Sequence, residues 1–162
     1  REILASAPDQ VIAIRLTADR ANSISFSATF DSPQRITRSS PDGSTVAMDG
    51  LSGDFEGIAG QVRFLALARV VADGGTVTSS GGTVQVRQAN SVTVLVSIGS
   101  SYKNYRDVTG DYQGIARGHL TAAAGRSWTD LRGRHIADYQ ALFNRATLEL
   151  GRTSAADQPT DV

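Results

Sequence analysis

"QVRFLALARVVADGGTVTSSGGTVQVRQANSVTVLVSIGSS", residues 61–101, alternates apolar runs with Gly and Asn pairs. Val62, Phe64, Ala66 and Ala68 fall on one side of an extended chain, because strand side chains alternate with a period of two. "DGG" (73–75) breaks that run, "TVTSS" follows, and "GG" (81–82) breaks the chain again. "TVQVRQ" alternates cleanly, "AN" (89–90) turns, and "SVTVLVSIGSS" closes the set. Four strands joined by short Gly and Asn turns are expected to form an antiparallel meander.

Strand signals continue towards the start of the chain. "VIAIRLT" (11–17) is rich in β-branched residues. "SISFSATF" (23–30) places Ile24, Phe26, Ala28 and Phe30 on one face and serines with Thr29 on the other. The "AN" turn at 21–22 suggests that these two strands form a hairpin. "SPDGST" (40–45) reads as a turn before a short strand "TVAMDG". "LSGDFEGIAG" (51–60) has glycines whose spacing fits neither the dinucleotide fingerprint nor the phosphate loop, and no helical pattern follows it, so it reads as a connection. About eight to ten strands with no interleaved helix argue for a β-sandwich.

The period changes after residue 108. Tyr112, Ile115, Ala116, His119, Leu120 and Ala123 share one helical face, with Thr109 or Asp111 able to cap its start and Gly125 its end. Ser127, followed three residues later by Asp130, opens a second helix. Its stripe is Trp128, Leu131, His135, Tyr139, Leu142 and Ala146, widened by Ile136 and Phe143. "TLEL" (147–150) alternates like a short strand. The expected organisation is a mainly β chain: an antiparallel sandwich over 1–108, two helices over 109–150, and a polar tail over 151–162.

Composition narrows the function classes. The 162 residues include 16 basic and 16 acidic side chains, with no run of one sign, so no positive field is available to hold nucleic acid or an anionic membrane. No apolar run approaches the roughly 20 residues of a membrane-spanning helix. The absence of cysteine excludes disulfides and thiolate metal sites. With only His119 and His135, a histidine-rich metal centre is excluded as well, and no cofactor is expected. The chain opens on Arg1 and closes on a polar tail, and is expected to be a segment of a longer protein.

Chemistry-bearing residues concentrate in "SYKNYRDVTGD" (101–111). Asp107 and Asp111 bracket a short loop. Paired carboxylates about 5 to 10 Å apart are what glycoside hydrolysis requires, but acids at such places also fix turns and helix starts. No serine lies in a nucleophile elbow, and both histidines fall on apolar helix faces, where a hydrogen-bonded, partly buried imidazole is expected. No catalytic residue is assigned. Tyr102, Asn104 and Tyr105, with Arg106 and Tyr112 nearby, could stack on and hydrogen-bond a sugar, since tyrosine offers an apolar face and a polar tip. The same tyrosines could instead anchor the helices to the sheet.

Four ordered stretches resemble the N-terminal region of glycoside hydrolase family 95, the 1,2-α-L-fucosidases. They are "REILASAPDQVIAIRLTAD" (1–19), "VRFLALARVVADGGTV" (62–77), "SYKNYRDVTGD" (101–111) and "WTDLRGRHIADYQALFNRATLELG" (128–151). The last carries an H-x-x-D-Y-x-x-L-F-x-R core, and Pro159-Thr160-Asp161 matches a P-T-D motif that leads towards the catalytic domain. Leu4 replaces the family's usual phenylalanine, and 31–60 match least. The resemblance implies a β-sandwich of the super-sandwich type, here lacking its first strands, and a helical linker. It also implies an (α/α)6 barrel beyond this sequence that carries the catalytic residues and inverts the anomeric centre. It further implies an extracytoplasmic location and fucosylated glycans or related sugars as substrates, with Tyr102, Asn104 and Tyr105 at most on the pocket rim. The chain's partner would be its own barrel, and the wide apolar stripe of the second helix would pack on it or mediate self-association.

Overall fold

The computed structural model describes residues 1–149 and 151–159. Nine strands precede two helices: β1 (Glu2–Ser6), β2 (Val11–Thr17), β3 (Ile24–Thr29), β4 (Arg35–Asp42), β5 (Thr45–Leu51), β6 (Arg63–Asp73), β7 (Thr76–Ser80), β8 (Thr83–Ala89), β9 (Ser91–Ser100), α1 (Tyr112–Ala124) and α2 (Trp128–Phe143). A short 3₁₀ turn, Ser154–Asp157, lies in the tail. The strands form two antiparallel sheets, one of six strands in the order β1-β2-β9-β6-β5-β4 and one of three in the order β3-β8-β7. A mainly β sandwich followed by helices is therefore the fold, as the alternation implied.

The strand order differs from the expected one in two places. β2 and β3 are not a hairpin: β2 pairs with β1 and β9 in the large sheet, and β3 pairs with β8 in the small one. The segment 18–23 carries the chain from one layer to the other. Nor are β6 to β9 a meander. β6 pairs directly with β9 from Phe64↔Ser100 to Asp73↔Ser91, while β7 and β8 leave that sheet as a hairpin in the small one. Gly75 makes the departure possible: its φ is +66°, and a Cβ there would lie 2.2 Å from the Arg87 carbonyl oxygen. Asn90 closes the return, its backbone N–H donating to the Asp73 carbonyl at 2.8 Å.

Two apolar layers result. Between the sheets, Val46, Ala68, Val70, Val84, Val86, Ala89 and Val92 are buried. On the far side of the large sheet, Leu4, Val11, Ala13, Ala47, Leu65, Leu67 and Leu95 pack under Ala116, Leu120 and Ala123 of α1 and Leu131 of α2. α1 lies close to the sheet because Gly99 has no side chain: a Cβ there would sit 2.2 Å from the Tyr112 carbonyl oxygen. The buried Ser97 hydroxyl donates to the Ala116 carbonyl at 2.9 Å.

Caps set the helix limits. Asp111 accepts from the Gly114 N–H at 2.8 Å, and Ser127 accepts from the Asp130 N–H at 3.1 Å. Gly125 ends α1 with φ −81°, so the left-handed freedom of glycine is not used there. The helix pair is tied to the β1–β2 turn by the buried carboxylate of Asp9, which pairs with Arg126 at 3.1 Å and Arg134 at 3.0 Å and accepts from the Ser6 hydroxyl at 2.7 Å.

The helical stripes are only half used. Ala116, Leu120, Ala123 and Leu131 are buried, Tyr112 and Trp128 are half-buried, and Ile115 is exposed. Tyr139, Leu142 and Phe143, at 55%, 58% and 65% exposure, face outward, and Leu131 is the fully buried side chain of α2. Residues 147–149 form no strand, contrary to the alternation of "TLEL". Leu150, together with Thr160 and Asp161 of the P-T-D motif, lies outside the described residues.

Candidate functional site

Two loops leave the same end of the large sheet and are joined at their bases. Ser52 N–H donates to the Val62 carbonyl at 2.9 Å, Arg63 N–H to the Ser101 hydroxyl at 2.9 Å, and Ser101 N–H to the Arg63 carbonyl at 2.8 Å. The first loop runs from β5 to β6 and the second from β9 to α1. The second contains the concentrated polar residues.

Within 101–111 most polar groups serve the loop itself. Asn104 N–H donates to the Asp107 carbonyl at 3.1 Å, and Asp107 N–H donates back to the Asn104 carbonyl at 3.1 Å. The Asn104 side-chain oxygen accepts from Arg106 N–H at 2.9 Å, as in an Asx turn. One carboxylate oxygen of Asp107 accepts from Thr109 N–H at 2.9 Å and from its hydroxyl at 2.7 Å, and the other meets Lys103 Nζ at 3.1 Å. These bonds, the Thr109 hydroxyl foremost, then the Thr109 N–H and Lys103, hold the Asp107 carboxyl at about 2. An acid held there stays ionised near neutral pH and cannot donate a proton to a glycosidic oxygen. Asp111 is the cap of α1, so both carboxylates of the loop are engaged by their own backbone neighbourhood.

The tyrosines point three ways. Tyr102 is 55% exposed and Tyr105 78% exposed, with the Arg106 guanidinium 4.9 Å from the Tyr105 ring centre. Tyr112 is half-buried, and its hydroxyl lies 3.3 Å from Asp49, which fastens the start of α1 to β5. Of the sequence candidates, Tyr102, Asn104 and Tyr105 are exposed on the same loop, while Tyr112 packs against the core. The neighbouring loop adds two residues that periodicity did not flag: Phe55 and Ile58, 73% and 71% exposed, across a two-residue bridge. The only signal for them was a pair of large apolar residues among Gly, Asp and Glu. Loop tips that expose large apolar side chains are candidates for contact with a partner.

The histidines stand apart from this end. His119 and His135 are half-buried, and His135 stacks on Tyr139 with ring centres 6.2 Å apart. The expected hydrogen bond to either imidazole is not found among the described residues. Among the same residues no three His, Asp or Glu side chains converge on a point where a metal ion could sit.

Comparison with known proteins places the chain in a family. Over 181 aligned residues the chain is 28% identical to Alpha-L-fucosidase 2 of Arabidopsis thaliana. The alignment covers 95% of this chain and 21% of that protein, so the chain spans about a fifth of the length of the curated relative it matches. A solved structure described as "Putative kojibiose phosphorylase from human microbiome" superposes with a TM-score of 0.47 at 13% identity, over 82% of this chain and 17% of the other. The family profile "Glycosyl hydrolase family 65, N-terminal domain" matches residues 1–105, which hold all nine strands. The reading as a glycoside hydrolase N-terminal domain is thereby borne out, and the chain belongs to the glycosyl hydrolase family 65 N-terminal domain family.

Proposed function

We propose that this chain is the non-catalytic N-terminal region of an α-L-fucosidase of the family 95 type. It supports an (α/α)6 barrel that hydrolyses α-L-fucosides with inversion. The observation that carries this reading is the alignment to Alpha-L-fucosidase 2, which takes up 95% of the chain yet only 21% of the relative. The loop chemistry agrees with it. Asp107 and Asp111 are occupied by turn and cap hydrogen bonds, whereas inverting hydrolysis needs a protonated acid and a free base facing one sugar. The division of labour follows: residues 1–108 form the supporting sandwich, 109–150 the linker, and 151–162 lead to the barrel.

The test is turnover of 2′-fucosyllactose. The full-length gene product is expected to release fucose, and residues 1–162 alone to release none. Turnover by the 162-residue chain sinks the non-catalytic reading, and an inactive full-length product sinks the fucosidase reading.

A second reading, a glycan-binding module acting by itself, is favoured by the exposure of Tyr102 and Tyr105. It requires that fucosylated glycans bind the isolated chain and that Tyr105→Ala abolish the binding. Flat titrations with the unaltered chain remove it.

A further inference from the structure

The two helices are held on the sandwich in different ways. α1 buries Ala116, Leu120 and Ala123, fills the gap left by Gly99, and accepts the Ser97 hydroxyl at its Ala116 carbonyl. α2 has 16 residues and one fully buried side chain, Leu131, with Trp128 half-buried beside it. Apolar stabilisation scales with the area removed from water, so this contact alone is a weak fastening for so long a helix.

The rest of the fastening is ionic, and it converges on one carboxylate. The Asp9 side chain is 3% exposed. Its Oδ1 accepts from Arg134 Nε at 3.0 Å and faces Arg126 Nε at 3.1 Å, while its Oδ2 accepts from the Ser6 hydroxyl at 2.7 Å. Arg134 belongs to α2, and Arg126 stands in the connection between the helices and reaches on to Asp130 at 3.0 Å. The two arginine side chains are 38% and 36% exposed, so the anion lies inside and the cations keep one side in water. A further pair, Glu2 with Arg132 at 3.5 Å, is 55% exposed on both sides and contributes little.

Two features turn this cluster into a two-state contact. The turn that carries Asp9 is braced without α2: Gln10 takes a left-handed φ of +55°, and its side-chain amide donates to the Ala7 carbonyl at 2.7 Å. The helix is therefore the side that yields. A carboxylate as deep as Asp9 is also costly to keep dry without its cations. Partial withdrawal of α2 strands that charge, whereas full withdrawal lets water reach it, so intermediate positions are disfavoured.

We propose that α2 is a separately releasable element, latched to the sandwich by Asp9. It swings about the exposed connection 125–127 while the two sheets and α1 stay folded. α2 is the last α-helix before the tail, so the latch sets the direction in which the chain leaves the sandwich. The device lies wholly within residues 1–162 and stands whether or not a fucosidase barrel follows.

Amide hydrogen exchange of residues 1–162, read by mass spectrometry, tests it. Asp9→Asn is expected to speed exchange over residues 132–143 by at least about 10-fold, because docked α2 then lacks its central anion. Residues 116–124, β6 and β9 are expected to change by less than about 3-fold. Arg134→Gln should act in the same place and direction but more weakly, since Arg126 still meets Asp9. Arg132→Gln, which touches only the exposed pair, should leave every rate within about 2-fold. Equal acceleration of α2, α1 and the strands overturns the inference, because Asp9 then stabilises the fold as a whole. Unchanged rates over 132–143 overturn it as well. Should Asp9→Asn fail to fold, Arg134→Gln decides by the same two criteria.

Discussion

Asp107 shows how a side chain rich in chemical possibility is used up by local structure. A short loop must leave β9 and start α1, and its backbone groups need partners. Asp107 accepts from Thr109 twice and from Lys103 once, and Asn104 closes the turn on the other side. The carboxylate form is favoured by every one of these bonds, which is why its pKa falls from 3.8 to about 2. The sign follows directly. A depressed folded-state value stabilises the loop above the ordinary carboxylate range, and that contribution is lost as pH falls from about 4 through about 2. A carbon-detected NMR titration is expected to place the Asp107 midpoint near 2, with the Thr109 amide shift following it. A midpoint near 4 would mean that the turn is not held as described. In Asp107→Asn the low-pH step should vanish while α1 remains capped by Asp111.

At the scale of elements, one atom's absence decides where α1 lies. Gly99 sits in the middle of the layer formed by β9 and α1, and a methyl group there would meet the backbone of Tyr112 and Ala116 rather than a yielding side chain. Gly99→Ala is therefore expected to destabilise the fold by about 2–4 kcal/mol, read from the urea midpoint, with no change in strand content by circular dichroism. A change under about 0.5 kcal/mol would show that α1 is not seated as described. This seat was invisible in the sequence, where "SVTVLVSIGSS" reads only as a strand. The strands themselves were legible, because period-two alternation reports which residues share a face. Alternation does not report which strand is the neighbour, so the hairpin of β2 with β3 and the meander of β6 to β9 were wrongly expected. Pairing was decided by long-range register: β6 and β9 are 11 and 10 residues long and match along their whole length, leaving β7 and β8 to form the other layer. The helix caps Asp111 and Ser127 were legible because capping is a local bond. In the candidate site, Tyr102 and Tyr105 were legible as a loop pair. Phe55 and Ile58 were not, because adjacency of two loops is a tertiary fact.

For the whole molecule, the distribution of exposed apolar groups is uneven in a way that one chain of this size does not require. Two of the regions lie outside the loops: Ile3 and Ile98 on the large sheet, and the second half of α2. Along that half, His135, Tyr139 and Phe143 stack in sequence, with ring centres 6.2 and 5.4 Å apart, and Leu142 lies beside them. Such a ladder follows from i, i+4 spacing and holds the helix, but it leaves wide aromatic surface in water. Residues this exposed contribute little to the chain that carries them, so Tyr139→Ser with Phe143→Ser is expected to move the stability of residues 1–162 by less than about 1 kcal/mol. If the helix packs on a catalytic barrel, the same pair of changes removes two buried aromatics from the interface. The full-length product should then lose about 3 kcal/mol or more against heat or denaturant. Unfolding of both proteins, with and without the substitutions, separates the cases. Equal small effects in both would leave α2 without a barrel partner, and a large effect in the 162-residue chain that depends on its concentration would make self-association the use of this face.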